Sequence, residues 1–446
     1  MNNSHLIIKN GFLVSSNGII KKDIYIKNGK IEKIESDLNI ECDNIIDAHN
    51  LHILPGAIDP QVHFREPGLT HKGDIATESK AGLAGGVTSF FEMPNVNPTT
   101  TTNENLTKKF ELASKRALSN YSFHLGASNT NIEEIKKVDI NQASALKVFM
   151  GASFGEMLVD DIDALDDIFN HSPLIVVTHC EDQKRVKENE ELFFNKHGDN
   201  LSAQHHHLIR DVESCYLSSS LAVDLAKKYD ADLHVFHLTT EKEMELFTAG
   251  KVDGKKITAE VCVHHMYFNE SRYADLGNQI KCNPSIKFES DRLALIDALL
   301  KDKIDIIATD HAPHTWDEKN QTYSKAPAGL PLVQHGMQIL MDFYHQDVLS
   351  LETIVQKTSH NVANRFQVKD RGYIREGYYA DLAVLDIDKP YTVSDDNILY
   401  KCGWSPFNGH TFQSSIFMTI VNGNIAFRNG QVEENLPFGM QIEFNR

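Results

Sequence analysis

A (β/α)8 barrel of the TIM type, carrying a small β-sandwich domain built from both chain ends, is the α/β fold this sequence predicts, on three observations. First, between Pro55 and about residue 365 short apolar runs alternate with longer stretches at helical spacing, the texture of parallel βα units. Second, eight such runs can be counted, at 57–63, 87–92, 121–126, 145–150, 174–179, 233–237, 257–263 and 304–310. Helix-type segments such as "NENLTKKFELASKRAL", "CYLSSSLAVDLAKKYD" and "DRLALIDALLKD" lie between most of them. Third, both ends of the chain read as antiparallel sheet. "HLIIKNG", "GFLVSSNG" and "DIYIKNGKIEKI" at one end, and "ADLAVLDID" and "SIFMTIVNGNIAFRNGQV" at the other, are alternating runs separated by Asn-Gly pairs that signal hairpins. The expected division is therefore 1–54 with 366–446 for the small domain and 55–365 for the barrel.

Bulk composition excludes several function classes. Lysine and arginine total 44 against 62 acidic residues, a formal charge of −18, which opposes general attraction to nucleic acid or anionic lipid. An anionic substrate then needs a local cationic pocket. Six cysteines without CxxC spacing fit reduced thiols in a cytoplasmic protein. The N-terminal stretch carries no signal-type pattern, and no uncharged run approaches membrane-spanning length. A two-fold homodimer is the default expectation for assembly.

A barrel with its active site at the C-terminal strand ends makes a test within the sequence, because metal-type residues should fall there. His63 closes the first run, Lys147 lies in the fourth, His179 ends the fifth, His237 the sixth and Asp310 the eighth. A histidine at a strand end is by itself as readily structural as ligating; five such residues together point to a metal centre. In "IDPQVHFREPG", Gln61 and His63 share a face of an extended segment, and Arg65 follows as a cation for an anionic substrate.

These residues resemble the cyclic-amide hydrolases of the amidohydrolase superfamily, and among them dihydroorotases. The carriers are "PGAIDPQVHFREPG", "AGGVTSFFEMPNVNPTT", "ALKVFM", "THCED", "HLTT", "NPSIK", "TDHAPH", "APAGLPL" and "KCGWSPFNGHTF", which span nearly the whole chain. The resemblance implies one or two divalent ions, zinc by expectation. His179 and His237 would hold one, His63 with Asp310 the other, and Lys147 would bridge them as its CO₂-derived carbamate. Asp310 would be the catalytic acid–base group. Arg65, Asn95 and His314 would hold a substrate carboxylate, with Asn283 and Ala328 near the ring. The substrate implied is dihydroorotate, opened reversibly to N-carbamoyl-L-aspartate.

One position departs from the family pattern: Gln61 stands where a histidine is usual, offering a neutral amide oxygen to the second metal. Two alternatives stay open. A hydantoinase, dihydropyrimidinase or allantoinase would use the same metal residues, although Arg65 would then lack an anionic partner. An inactive homologue serving as a structural partner of aspartate carbamoyltransferase would fit Gln61, but not the retention of the other site residues. His205–His207 read as a surface or packing feature. His264–His265 follow the seventh run without an implied metal role, His311 reads as a partner of a ligand, and Cys180 as facing away from the site.

Overall fold

The computed structural model describes residues 5–153 and 155–446. Strands β1 (His5–Ser15), β2 (Gly18–Lys27), β3 (Lys30–Glu35), β4 (Ile45–Asp47) and β5 (His52–Pro55) open the chain. The barrel strands follow: β6 (Ala57–Val62), β7 (Val87–Glu92), β8 (Asn120–Phe123), β9 (Leu125–Gly126), β10 (Leu146–Phe149), β11 (Val176–His179), β12 (Leu233–Val235), β13 (Ile257–Cys262) and β14 (Ile306–Ala308). After them come β15 (Leu382–Asp386), β16 (Tyr391–Thr392), β17 (Thr411–Phe412), β18 (Ser415–Val421), β19 (Asn424–Arg428) and β20 (Gln431–Val432).

Every predicted barrel run carries a strand, with β8 and β9 together forming the third. Strands β6–β8 pair in parallel, as do β9–β14, and the chain crosses between the two arcs at His124. The ring closes just past β14, where His311 bridges Val62 and the His63 amide donates to the His311 carbonyl at 2.7 Å. All residues of β6, β7, β10 and β11 are buried, as parallel strands covered on both faces must be. Several of the covering helices start on side-chain caps. Asp74 and Thr77 form a capping box at Ile75–Ala84, and Asp211 caps Val212–Tyr229. The helix expected over 103–118 stops at Ala113, after which backbone turns carry the chain into β8.

Both chain ends do build one sheet, in the order β20-β19-β18-β15-β5-β1-β2-β3 with β4 beside β1. Its apolar face buries Ile8, Ile24, Ile26, Ile53, Leu382, Val384 and Ile420. The Asn-Gly signals differ in outcome. Asn28-Gly29, Asn422-Gly423 and Asn429-Gly430 turn hairpins, each with two positive φ angles. Asn10-Gly11 does not: β1 runs through it, and the pairing with β2 shifts register between Ile8 and Gly11. There the left-handed Asn10 (φ 64°) makes a bulge, its amide held by Asp23 and its side chain by Asp47, each at 2.9 Å. Sheet and barrel are tied by Asp381, which pairs with Arg371 and accepts from Asn120 at 3.2 Å and from the Asn422 amide at 2.8 Å. No helix among the described residues is long and apolar enough to cross a membrane.

Burial also sets an acid limit on the fold. His335, enclosed beneath Tyr400, is pushed down to about 3 by burial, and His124 likewise to about 3. Between that value and the ordinary one near 6.5, the unfolded chain binds more protons than the folded one, so stability is full above 6.5 and is lost as pH falls. The melting temperature is expected to decline from pH 7 to pH 4, and His335→Asn to flatten that decline. An identical slope in the variant would remove His335 from this account.

Candidate metal centre

The predicted ligands converge on one end of the barrel because four sit at or just beyond the C-terminal end of their strands, His63 after β6, His179 closing β11, His237 after β12 and Asp310 after β14, and Lys147 projects from within β10. Three site residues leave the strand geometry altogether. Arg65 (φ 71°), His237 (φ 38°) and Asp310 (φ 49°) have left-handed backbones. Gly68 (φ 84°) closes the turn after Arg65 against the Asn97 carbonyl, at a distance that leaves no room for a Cβ.

Hydrogen bonds fix which ring nitrogens remain free. His63 Nδ1 donates to Asn95 Oδ1 at 2.9 Å, so its Nε2 lone pair faces Asp310 Oδ1, 3.2 Å away. Two acceptors at that spacing suit a shared cation or proton. His179 Nε2 donates to Glu181 Oε2 at 2.7 Å, which leaves Nδ1 as the free donor. Burial alone would raise the Glu181 carboxyl, but Arg210 at 2.7 Å and the His179 bond outweigh it and bring it down to about 2. The His237 ring lies edge-on to His179, centroids 4.6 Å apart, and its buried Nδ1 has no hydrogen-bond partner among the described residues.

Lys147 Nζ is buried 4.6 Å from the Phe149 ring and 4.5 Å from that of Phe236. Burial lowers its amine to about 7, against the pull of the Asp310 carboxylate. Burial in turn raises Asp310 to about 7, moderated first by Lys147. The donor set therefore fits divalent cations: neutral imidazoles with free lone pairs, a carboxylate facing one of them, and an amine partly neutral near pH 7.

Beside these residues lies the cationic position. Arg65 Nε donates to the Pro313 carbonyl at 3.1 Å, and Nη2 lies 3.1 Å from His314 Nε2. Burial lowers the guanidinium to about 10, so it stays charged at neutral pH. His314 Nε2 is also 3.0 Å from the Ala328 carbonyl, while Nδ1 is 3.0 Å from Lys72 Nζ. Burial keeps this histidine neutral. The consistent tautomer donates from Nε2 to Ala328 and accepts from Lys72 at Nδ1. Arg65 Nη2 then faces no acceptor on His314, and its protons remain available to a ligand.

Of the predicted substrate residues, Arg65, His314 and Ala328 are thus in one group, and Asn95 contacts the ligand His63. Asn283, its Oδ1 3.2 Å from His206 Nε2, lines a 610 Å³ cavity together with Ala328, Arg210, Lys281 and Tyr323. Gln61 is buried with Oε1 3.6 Å from the Cys262 thiol, which donates to it. His206, within the discounted histidine run, bonds Tyr323 and the Cys282 carbonyl at 2.8 Å each, so that run packs and also borders the cavity. Cys180 is buried against Thr178, and burial raises its thiol to about 11. His311 pairs with Glu78 at 2.8 Å. The sequence reading missed Glu181 and Arg210, although the i, i+2 spacing in "THCED" could have suggested the first. It also missed Lys319, whose buried Nζ donates to the carbonyls of Lys281, Pro327 and Gly329 and so holds the loop that carries Ala328.

Comparison with known proteins agrees with this geometry. Residues 52–426 match the amidohydrolase family. A dihydroorotase from Methanosphaera stadtmanae is 30% identical, the alignment covering 96% of this chain and 98% of that protein. An allantoinase from Desulfitobacterium hafniense is also 30% identical, covering 99% of each. Among solved structures, L-hydantoinase from Arthrobacter aurescens superposes with a TM-score of 0.93 at 25% identity, covering 98% of this chain and 99% of that one. With its barrel, its terminal sheet and these relatives, the chain belongs to the amidohydrolase family, as a metal-dependent cyclic amide hydrolase.

Proposed function

We propose that the substrate is dihydroorotate, hydrolysed reversibly to N-carbamoyl-L-aspartate, the reverse direction being the ring closure of pyrimidine synthesis. The observation that carries this reading is Arg65: a buried guanidinium beside the β6 strand whose Nη2 has no carboxylate opposite it among the described residues. A ring bearing a carboxylate supplies that partner through two parallel hydrogen bonds. In this reading His179 with His237, and His63 with Asp310, would hold zinc ions, and Lys147 would serve both as its carbamate. When bound, such ions supply Lewis acidity, lowering the pKa of water towards neutrality and polarising the amide carbonyl.

The remaining steps fall to the chain's own groups. Asp310 takes a proton from the attacking water and returns it to the departing ring nitrogen, a transfer suited to a carboxyl that burial has already raised. Asn95 holds His63 in one tautomer, Glu181 holds His179, and the His314 contact with Ala328 sets the wall of the carboxylate position. Allantoin and 5-substituted hydantoins share the scissile amide but carry no ring carboxylate, and the allantoinase and hydantoinase relatives make them the rival substrates. The purified protein, loaded with zinc, is expected to open dihydroorotate and to leave both rivals nearly untouched. Turnover of either rival with none of dihydroorotate would overturn the proposal.

A further inference from the structure

A second group of metal-type side chains lies outside the centre described above. Cys262 ends β13, and the chain turns at once into the short helix Val263–Tyr267, folding His264 and His265 back over the strand end. One donor atom from each of Cys262, His264 and His265 lies within 4.8 Å of the others, and all three residues are buried. The two imidazoles are 4.0 Å apart between centroids.

Their hydrogen bonding is incomplete in a directed way. His265 Nε2 donates to the Pro284 carbonyl at 3.0 Å, which leaves a lone pair on its buried Nδ1, and that atom has no partner among the described residues. The ring nitrogens of His264 make no well-formed hydrogen bond there either, the Thr309 backbone giving at most a marginal one. Buried polar atoms left in this state are destabilising unless something supplies the missing bond. The remaining member, the Cys262 thiol, finds only the weak contact to Gln61 Oε1 at 3.6 Å. That contact also places a neutral amide oxygen at the edge of the same group.

We infer that Cys262, His264 and His265, with Gln61 Oε1 as fourth donor, form a thiolate-containing site for a borderline divalent cation of the zinc class. One sulfur, two imidazoles and one amide oxygen match the preference of zinc or cobalt(II) and not that of calcium or magnesium. Binding replaces the S–H bond by a sulfur–metal bond and releases one proton to solvent for each ion taken up. Ligand distances of about 2.0–2.3 Å require only that the group contract around the ion. The site shares no ligand with His63, Lys147, His179, His237 and Asp310, and it gives the Gln61 position a use independent of them.

Cobalt(II) reconstitution of metal-depleted protein tests this without reference to activity, because no ligand of the catalytic set is a thiol. The wild type is expected to develop a sulfur-to-cobalt charge-transfer absorption. Cys262→Ser should lose it together with one equivalent of tightly bound cobalt, and His264→Gln should weaken cobalt binding at least tenfold. The double variant His179→Ala/His237→Ala should retain the band. Zinc-edge X-ray absorption of the loaded wild type, which needs no variant, should show a sulfur neighbour. Absence of sulfur ligation in the fully loaded wild type, or a charge-transfer band unchanged in Cys262→Ser, overturns the inference.

Discussion

Asp310→Asn is expected to reduce kcat for dihydroorotate by roughly 10²–10⁴-fold, the range in which a positioned acid–base group contributes. The substitution keeps the shape of the side chain and one oxygen near His63, so the barrel end should hold its form. What disappears is the site for a travelling proton, together with the negative charge that sits 3.2 Å from His63 Nε2. Measuring bound zinc alongside kcat separates the two losses. A variant with wild-type metal content and depressed kcat assigns the deficit to proton transfer, whereas wild-type kcat would remove Asp310 from that role.

Arg65→Lys carries the second large effect. The guanidinium is anchored through Nε to the Pro313 carbonyl, and that anchor points Nη2 towards the free space beside His314. An ammonium cannot hold the anchor and present a planar fork at the same time. Losing a charge-assisted hydrogen bond while the charge itself is kept costs about 1.5–3 kcal/mol, so kcat/KM for dihydroorotate should fall roughly 10-fold to 150-fold. Any residual activity on a hydantoin should be unchanged, since that ring makes no demand on the fork. A uniform fall on both substrates would point to a damaged barrel end and not to a lost carboxylate contact.

Much of this architecture was legible in the residues, and the parts that were not have physical causes. The barrel strands were readable because parallel strands covered on both faces carry dense apolar runs, and β6, β7, β10 and β11 are buried along their whole length, their few polar residues including Gln61, Lys147 and His179. The placement of His63, His179, His237 and Asp310 at one end of the barrel was readable because a strand end is a fixed address. Glu181 and Arg210 were not, since a buried ion pair that orients a ligand looks in sequence like any two charges 29 positions apart. The Asn10 bulge was misread as a hairpin because Asn-Gly specifies only a left-handed backbone, and the choice between turn and bulge lay with Asp23 and Asp47. Gln61 showed its departure from the family pattern at once, but its neighbour Cys262 lies 201 residues away in the chain and only the fold brings them together.

The left-handed backbones at Arg65, His237 and Asp310 have a consequence for how such a protein can change. Each holds a side chain with a Cβ in a region costing of order 1–3 kcal/mol, and glycine would relieve that strain at all three. Directed evolution for heat tolerance alone would therefore count these candidate site positions among its openings, beside other left-handed residues such as Ala152 and Gln367. Selection that also scores turnover would keep Arg65, His237 and Asp310, so in a lineage released from that demand glycine at these three positions would meet no opposition.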